Sequence, residues 1–122
     1  MTYVDGFVIP IPKKNLAAYK KMAAQGAKAW KKHGALEYFE CVGDDLSPKP
    51  MPGSKITHFP ALAKAKAGET VVFAFIVFKS RAHRDAVNKK VLADMSMEPP
   101  PGAMPFDMKR MAYGGFKTIV QG

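Results

Sequence analysis

The sequence predicts a small α+β protein with its elements in the order β-α-β-β-α-β, and three observations lead to this fold class. The chain has 122 residues and is 48% apolar, which is enough to bury one core. Some segments are rich in β-branched and aromatic residues, and others carry apolar residues at helical spacing. Proline and glycine clusters separate these segments and mark the connections. We therefore expect a single domain over residues 1–122.

The first strand and the first helix carry signals for their own ends. Tyr3–Ile9 favours a strand, and the prolines that follow are expected to end it. A helix is expected from about Leu16 to His33. Asn15 is a suitable N-cap, and Gly34 is a suitable stop. The lysines of this helix lie on one side, and its apolar residues share the other, namely Leu16, Tyr19, Met22, Ala23, Gly26 and Trp30.

The rest of the chain supplies three strands and a second helix. The strands are expected at Ala35–Val42, Val71–Phe78 and Met111–Val120. The second helix is expected to begin after Ser80, its N-cap, and to run to about Asp94. Within the last strand, Gly114 and Gly115 indicate a bulge or a close approach of the backbone to another group.

The strand Val71–Phe78 is apolar at every position, so both of its faces are apolar. The element order predicts a ferredoxin-like fold with a four-stranded antiparallel sheet, in which right-handed crossovers place both helices on one face. The other face would expose an apolar patch that a soluble monomer rarely tolerates. We expect a second copy to cover it in a sheet-to-sheet homodimer. The alternative is that the connection Met95–Arg110 covers that face within one chain.

The chain carries a formal net charge of +9, and much of the excess lies near the first helix. The lysines of this region are Lys13, Lys14, Lys20, Lys21, Lys28, Lys31 and Lys32. A basic stripe can contact RNA phosphates, but a solvated helix face gives the same pattern. No arginine-rich run or aromatic RNA-stacking motif accompanies the lysines. Nucleic-acid binding through this helix is therefore the weaker hypothesis.

The sequence predicts a cytoplasmic protein without a membrane partner. Its longest apolar run, Val71–Phe78, is too short to cross a bilayer. The N-terminus lacks the basic and apolar regions of a secretory signal. The single cysteine, Cys41, cannot form an intrachain disulfide, and its position within a strand predicts that it is buried.

Two long proline-rich connections are expected to meet at one end of the sheet and to form a candidate ligand-binding site. Its residues are His58, Phe106, Asp107 and Arg110. A pocket with apolar walls and a few polar groups is typical of small-molecule sites, and His58 could act as an acid or base near neutral pH. The alternative is that Phe106 plugs the dimer interface and that Asp107 pairs with Arg110 on the surface.

The opposite end of the sheet holds a second candidate site, which would bind an anion. His83 and Arg84 lie in the first turn of the second helix, where cationic side chains and backbone N–H groups favour negative charge. The alternative is that Asp85 neutralises them. Because His58 and His83 are expected at opposite ends and the histidine spacing matches no metal motif, we expect no metal site.

Four segments of the chain are YVDGFVIPIPKKN, GALEYFECVGDD, GETVVFAFIVFKSRAHRDAVNKKV and MPFDMKRMAYGGFK. Together they resemble a small uncharacterised bacterial family, domain of unknown function 1428, from Tyr3 to Val120. Met108 departs from the glycine expected in the last segment. The resemblance implies the dimeric α+β barrel superfamily, which includes cofactor-free monooxygenases, haem-degrading enzymes and small-molecule isomerases. It implies no activity that can be assigned residue by residue.

Two functional hypotheses follow, and the sequence does not decide whether the protein is an enzyme. The first is a small-molecule-binding or monooxygenase-like homodimer that uses no tightly bound cofactor and takes a small hydrophobic or anionic ligand. The second is a non-catalytic structural or interaction dimer whose barrel is filled by side chains. An open, polar-lined cavity favours the first hypothesis, and an interior packed solid with Phe and Met favours the second.

Overall fold

The computed structural model describes residues 1–94 and 104–122, which form an α+β fold with an open four-stranded sheet. The strands are β1 (Tyr3–Pro12), β2 (Glu37–Val42), β3 (Glu69–Phe78) and β4 (Ala112–Lys117). The helices are α1 (Leu16–Lys32), α2 (Phe59–Leu62) and α3 (Arg81–Ala93). Short 3₁₀ turns at Lys13–Asn15 and Met108–Arg110 precede α1 and β4. No helix within the described residues is long and apolar enough to cross a membrane.

The order of strands across the sheet is β2-β3-β1-β4, and all neighbours are antiparallel. The predicted α+β class and antiparallel four-stranded sheet are confirmed. β1 and β2 are both antiparallel to β3, so these two strands run in the same direction. β2 stands at one end of the strand order, so it is an edge strand with β3 on one side only.

One face of the sheet packs against α1 and α3, and it is called the helix face below. Its first core cluster lies under the N-terminal half of α1 and comprises Ile9, Ile11, Tyr19, Ala23, Val72, Ala74 and Phe106. The second cluster lies between the C-terminal half of α1, α3 and the sheet, and comprises Ala29, Ala35, Ile76, Phe78, Val87 and Val91. The buried positions of α1 recur at three- and four-residue spacing, as predicted for a helix that packs by one side.

The other face is called the open face below, because α1 and α3 both lie on the helix face. Strand alternation places Phe39, Phe73 and Phe116 on it, and these side chains are 46%, 44% and 63% exposed. Phe39 stacks on Phe75 with ring centroids 4.9 Å apart. α2 reaches this face where Phe59 meets Phe73 edge-on. The prediction that β3 is apolar on both faces is confirmed.

The helix ends follow the predicted capping signals in part. Ser80 caps α3, since its hydroxyl accepts a hydrogen bond from the backbone N–H of His83 at 3.1 Å. Gly34 follows α1 with a φ of 116°, a conformation that favours glycine. Asn15 occupies the predicted N-cap position of α1, but its side chain accepts no capping hydrogen bond. The preceding 3₁₀ turn already pairs Leu16 N–H with Lys13 O, and the Asn15 amide donates instead to Pro105 O at 2.9 Å.

The strand bounds differ from the predicted ones where proline or turn geometry was misjudged. β1 continues through Pro10 to Pro12, because β4 pairs with it only as far as Val8. Beyond Val8 one edge of β1 has no strand beside it, and a missing N–H is tolerated at such an edge. β4 is shorter than Met111–Val120, since it begins after the 3₁₀ turn at Met108–Arg110 and its pairing with β1 ends at Lys117, opposite Tyr3.

The alternative prediction, that the connection Met95–Arg110 covers the open face, falls partly outside the described residues, because these exclude 95–103. In the described part, Phe106 packs with Ile9 and Tyr19 in the first core cluster. This part of the connection therefore packs against the helix face.

Candidate functional site

A cleft between α1 and β2 is the candidate functional site. Its volume is about 470 Å³, which lies in the range of small-molecule pockets. Its walls are mainly small apolar side chains, including Leu16, Ala23, Ala24, Ala27, Val42 and Val72. Lys20 also lines the cleft, and its side chain is exposed. Because β2 is an edge strand, the space beneath α1 remains accessible from that side.

Glu40 supplies the carboxylate of this cleft. Tyr38 and Glu40 share one face of β2 by strand alternation, and both line the cleft below α1. The Tyr19 hydroxyl donates to Glu40 Oε1 at 2.6 Å, and the Tyr38 hydroxyl donates to Oε2 at 2.7 Å. Hydrogen bonds to an ionised acceptor are the stronger kind. The three side chains therefore form one unit that joins α1 to β2, called the Tyr-Glu-Tyr cluster below.

Both tyrosines keep their protons in this arrangement. Burial, reinforced by the Glu40 carboxylate, raises the pKa of Tyr19 far above its usual range. The same two causes raise the pKa of Tyr38. Neutral phenol groups donate their single protons to Glu40, so the cluster holds its carboxylate in one orientation.

Gly26 of α1 makes room for Tyr38. A Cβ atom at this position would lie 2.8 Å from the Tyr38 hydroxyl oxygen, which is closer than side-chain atoms pack. Glycine in the middle of a helix costs about 1 kcal/mol relative to alanine. The space left by Gly26 admits the Tyr38 hydroxyl, which in turn donates to Glu40. The glycine therefore helps to set the geometry of the carboxylate.

Phe106, a predicted ligand-binding residue, is buried and contacts the Tyr19 ring of the cluster. It is 8% exposed, and its ring meets that of Tyr19 edge-on at 5.7 Å between centroids. The hydrogen bond from Asn15 to Pro105 O ties the same segment to the start of α1. Phe106 thus positions Tyr19.

Asp107 and Arg110, two further predicted site residues, lie together beside Glu69 at the start of β3. The guanidinium donates to both carboxylate oxygens of Glu69 at 2.7 Å, and its Nε lies 3.2 Å from Asp107 Oδ2. The hydrogen bonds that Glu69 accepts from Arg110, together with one from the backbone N–H of Lys66, lower the pKa of Glu69 to about 2. The geometry agrees with the alternative in which Asp107 pairs with Arg110, and the arrangement pins the segment before β4 to β3.

His58 lies in the connection between β2 and β3, immediately before α2. Its ring Nε2 lies 3.0 Å from the carbonyl oxygen of Pro48, within the same connection. The Asp107–Arg110 pair contacts Glu69 instead. A ligand-binding role for these loop residues stays a prediction.

His83 and Arg84 lie at the N-terminus of α3, as predicted. His83 Nδ1 accepts a hydrogen bond from the backbone N–H of Lys79 at 2.9 Å. Arg84 donates to the Tyr3 hydroxyl at 2.9 Å and forms ion pairs with Asp5 and Asp85. Asp85 therefore partly neutralises the guanidinium, as the alternative supposed, while an anion-binding role for His83 and Arg84 stays a prediction.

Asp5 is a carboxylate buried on the helix face, with 1% of its surface exposed. Burial raises its pKa, although Arg84 and the Tyr113 hydroxyl at 3.3 Å favour the ionised form. A Cβ at Gly115 would lie 2.7 Å from Arg84 Nη2, so the close approach expected at the glycine pair is confirmed at Gly115. The Arg84 Nε lies 3.4 Å from Asp5 Oδ1, so this carboxylate faces a cationic side chain.

Cys41 is exposed, so its predicted burial is wrong. Its register on β2 pairs it with Phe73 and turns it toward the open face. In residues 1–94 and 104–122, no group of three or more His, Cys, Asp or Glu side chains is arranged to hold a metal ion.

The sequence did not identify the Tyr-Glu-Tyr cluster as a site. Two signals were available: Glu40 shares the inward face of β2 with Tyr38, and Gly26 interrupts the apolar side of a helix. Neither signal reveals that Tyr19 of α1 lies opposite Glu40, since that contact depends on how the helix crosses the sheet.

Comparison with known proteins supports the sequence resemblance. The model of the family described as "Protein of unknown function (DUF1428)" matches residues 2–108. The chain is 43% identical over 120 residues to the "Uncharacterized protein YbaA" of Escherichia coli strain K12, with 98% of each chain covered. The protein of the same name from Shigella flexneri matches to the same extent. The chain therefore belongs to the DUF1428 family.

Proposed function

We propose that residues 1–122 form one domain that pairs face to face as a homodimer and binds a small, largely apolar molecule in the cleft between α1 and β2. The observation that carries this proposal is the Tyr-Glu-Tyr cluster beside an apolar cavity of about 470 Å³. A cavity whose acidic group is held by further hydrogen bonds is typical of a ligand site.

The dimer is supported by the strand order and by the distribution of charge. The order β2-β3-β1-β4 with α1 and α3 on one face supports a ferredoxin-like fold and, with the family resemblance, a dimeric α+β barrel. The lysines of α1 lie on the helix side of the sheet. Two open faces can therefore meet without bringing the two lysine stripes together, and burial of their aromatic side chains stabilises the pair.

A monooxygenase-like reaction without a tightly bound cofactor is the catalytic form of this proposal. It requires a substrate that is itself easily oxidised, and Glu40 is the group placed to accept a proton from it. Binding without catalysis needs the same geometry, so we propose binding as the function. A cytoplasmic location is part of the proposal, because a single exposed thiol suits a reducing compartment.

The second candidate function is a non-catalytic dimer whose barrel is filled by side chains. The aromatic contacts of the open face favour it, since Phe75 stacks on Phe39 at 4.9 Å and lies 5.9 Å from Phe73. In that case the open faces form the functional interface, and the cleft beside α1 binds no ligand.

Methyl NMR of the full chain, with naphthol as a small apolar probe, separates the two candidates. The first predicts shifts at the methyl groups of Ala23, Ala24 and Ala27, which line the cleft. Ala112 is the control, because it lies beside a separate hollow on the open face. Shifts at Ala112 alone, or no shifts at all, would contradict binding in the cleft.

A further inference from the structure

The polar side chains at the base of the cleft offer hydrogen-bond acceptors to a ligand. A tyrosine hydroxyl has one proton, and an ionised carboxylate has none. The Tyr19 proton is donated to Glu40 Oε1 and the Tyr38 proton to Oε2. What remains to face the cavity is the set of unused lone pairs on the carboxylate and on the two phenol oxygens.

We propose that the cleft selects small apolar molecules that carry an O–H or N–H donor, and that Glu40 is the acceptor that recognises them. This inference rests on the proposed function, because it requires the cleft to be a ligand site. A donor-bearing ligand completes the coordination of the carboxylate. A ligand that brings only an acceptor displaces water from the remaining lone pairs of Glu40 without replacing its hydrogen bonds, and an anionic group is repelled by the carboxylate.

The tyrosines strengthen this selection by staying protonated. Burial and the adjacent carboxylate oppose loss of a proton from Tyr19 and Tyr38. Rotating either hydroxyl toward a ligand acceptor would break its bond to Glu40. Gly26 leaves room for the Tyr38 hydroxyl and Phe106 packs edge-on against Tyr19, so the acceptor pattern is preorganised.

Lys20 is the competing donor at this site. Lys20 lines the cleft and is exposed, whereas Glu40 is part-buried and accepts hydrogen bonds from Tyr19 and Tyr38. An exposed ammonium keeps its water when a ligand offers it no partner, so the loss of free energy is small. A carboxylate that loses its water without gaining a hydrogen bond loses more. The selection is therefore assigned to Glu40, and an anionic probe tests the assignment directly.

The experiment compares three probes of the same ring system on the wild-type chain: naphthol, its methyl ether and naphthoate. Affinity is taken from titration shifts of the Ala23, Ala24 and Ala27 methyl groups. We expect naphthol to bind about tenfold or more tightly than the ether, which lacks the donor, and naphthoate to bind weakest. Equal binding of naphthol and the ether, or tightest binding of naphthoate, would overturn the inference while leaving the cleft a ligand site.

The Glu40→Gln variant provides the second measurement, because its amide can donate as well as accept. We expect the preference for naphthol over the ether to fall to within about twofold of unity if the carboxylate is the recognising group. Asp45→Asn is the matched control, since it removes one exposed carboxylate just beyond β2 and should keep the preference. If the three probes leave the cleft methyls of the wild type unshifted, the proposed function itself fails, and this inference with it.

Discussion

The two faces of the sheet differ in their cover, although β3 supplies apolar side chains to both. On the helix face, Ile76 is 3% exposed and packs with Val87 and Val91 of α3. On the open face, its chain neighbour Phe75 is only half-buried, and Phe73 is 44% exposed. The apolar pattern of the sequence therefore defines which side chains must be shielded from water, while the path of the helices decides which of them are buried within one chain.

The helix face also carries two carboxylates, part-buried Glu40 and buried Asp5, which have different neighbours. Glu40 lies beside a cavity and is held by neutral tyrosines. Asp5 lies under α3 beside the Arg84 guanidinium, with Gly115 packed closely against that side chain. The ligand site is therefore proposed at the edge of the well-packed face.

The largest effect is expected from Ile76→Asp. A carboxylate placed in the second core cluster would be buried without a partner, which costs about 4 kcal/mol or more in the free energy of unfolding. Urea unfolding followed by circular dichroism measures the loss. Ile76→Val is the control and should cost only about 1 kcal/mol. A fully stable Ile76→Asp protein would show that the helix face is open to water.

The next effect is expected from Phe75→Asp, one residue earlier on the same strand. Because this side chain is half-buried on the open face, the variant should keep its fold but lose the proposed dimer. Light scattering at micromolar concentration should report a two-subunit mass for the wild type and a one-subunit mass for the variant. A wild type with the mass of one subunit would argue against pairing through this face.

A smaller, pH-dependent effect is expected from the ion pair between Glu69 and Arg110. Arg110 lowers the pKa of Glu69 from 4.5 to about 2, so the folded state favours the ionised carboxylate. The stability that this pair contributes is present above pH 4.5 and is lost as the pH falls toward 2. Glu69→Gln should lower the urea midpoint at neutral pH and remove this part of the acid dependence. The exposed Glu37→Gln should leave both unchanged.

The smallest change in stability is expected from Gly26→Ala. Alanine favours the helix by about 1 kcal/mol, which offsets the cost of displacing the Tyr38 hydroxyl. The expected result is a nearly unchanged thermal midpoint together with shifted Tyr38 ring signals in NMR spectra and weaker naphthol binding. Lys28→Ala, on the exposed side of the same helix, serves as control. Unchanged ring signals in Gly26→Ala would mean that the glycine does not set the position of Tyr38.

Much of the fold could be predicted because its signals are local. Ser80 and Gly34 mark helix ends through their own hydrogen bonding and backbone conformation. Asn15 shows the limit of this reasoning, since it occupies the N-cap position of α1 but its amide donates to Pro105 O, far along the chain. For the candidate site residues, the sequence predicted only the end of the sheet at which each would lie. It did not predict that Arg110 binds Glu69 or that Phe106 packs against Tyr19, because both contacts join segments that are distant in the chain.

The amino-acid sequence by itself determined the α+β class and the two apolar faces of β3, because periodicity and propensity act over a few neighbouring residues, and the order of the elements predicted the antiparallel sheet. Only the tertiary structure decided that Tyr19 and Tyr38 would meet on one carboxylate, that Cys41 would face outward and that a cavity would remain beside β2. These features depend on the crossing of α1 over the sheet and on the edge position of β2, which no local pattern encodes.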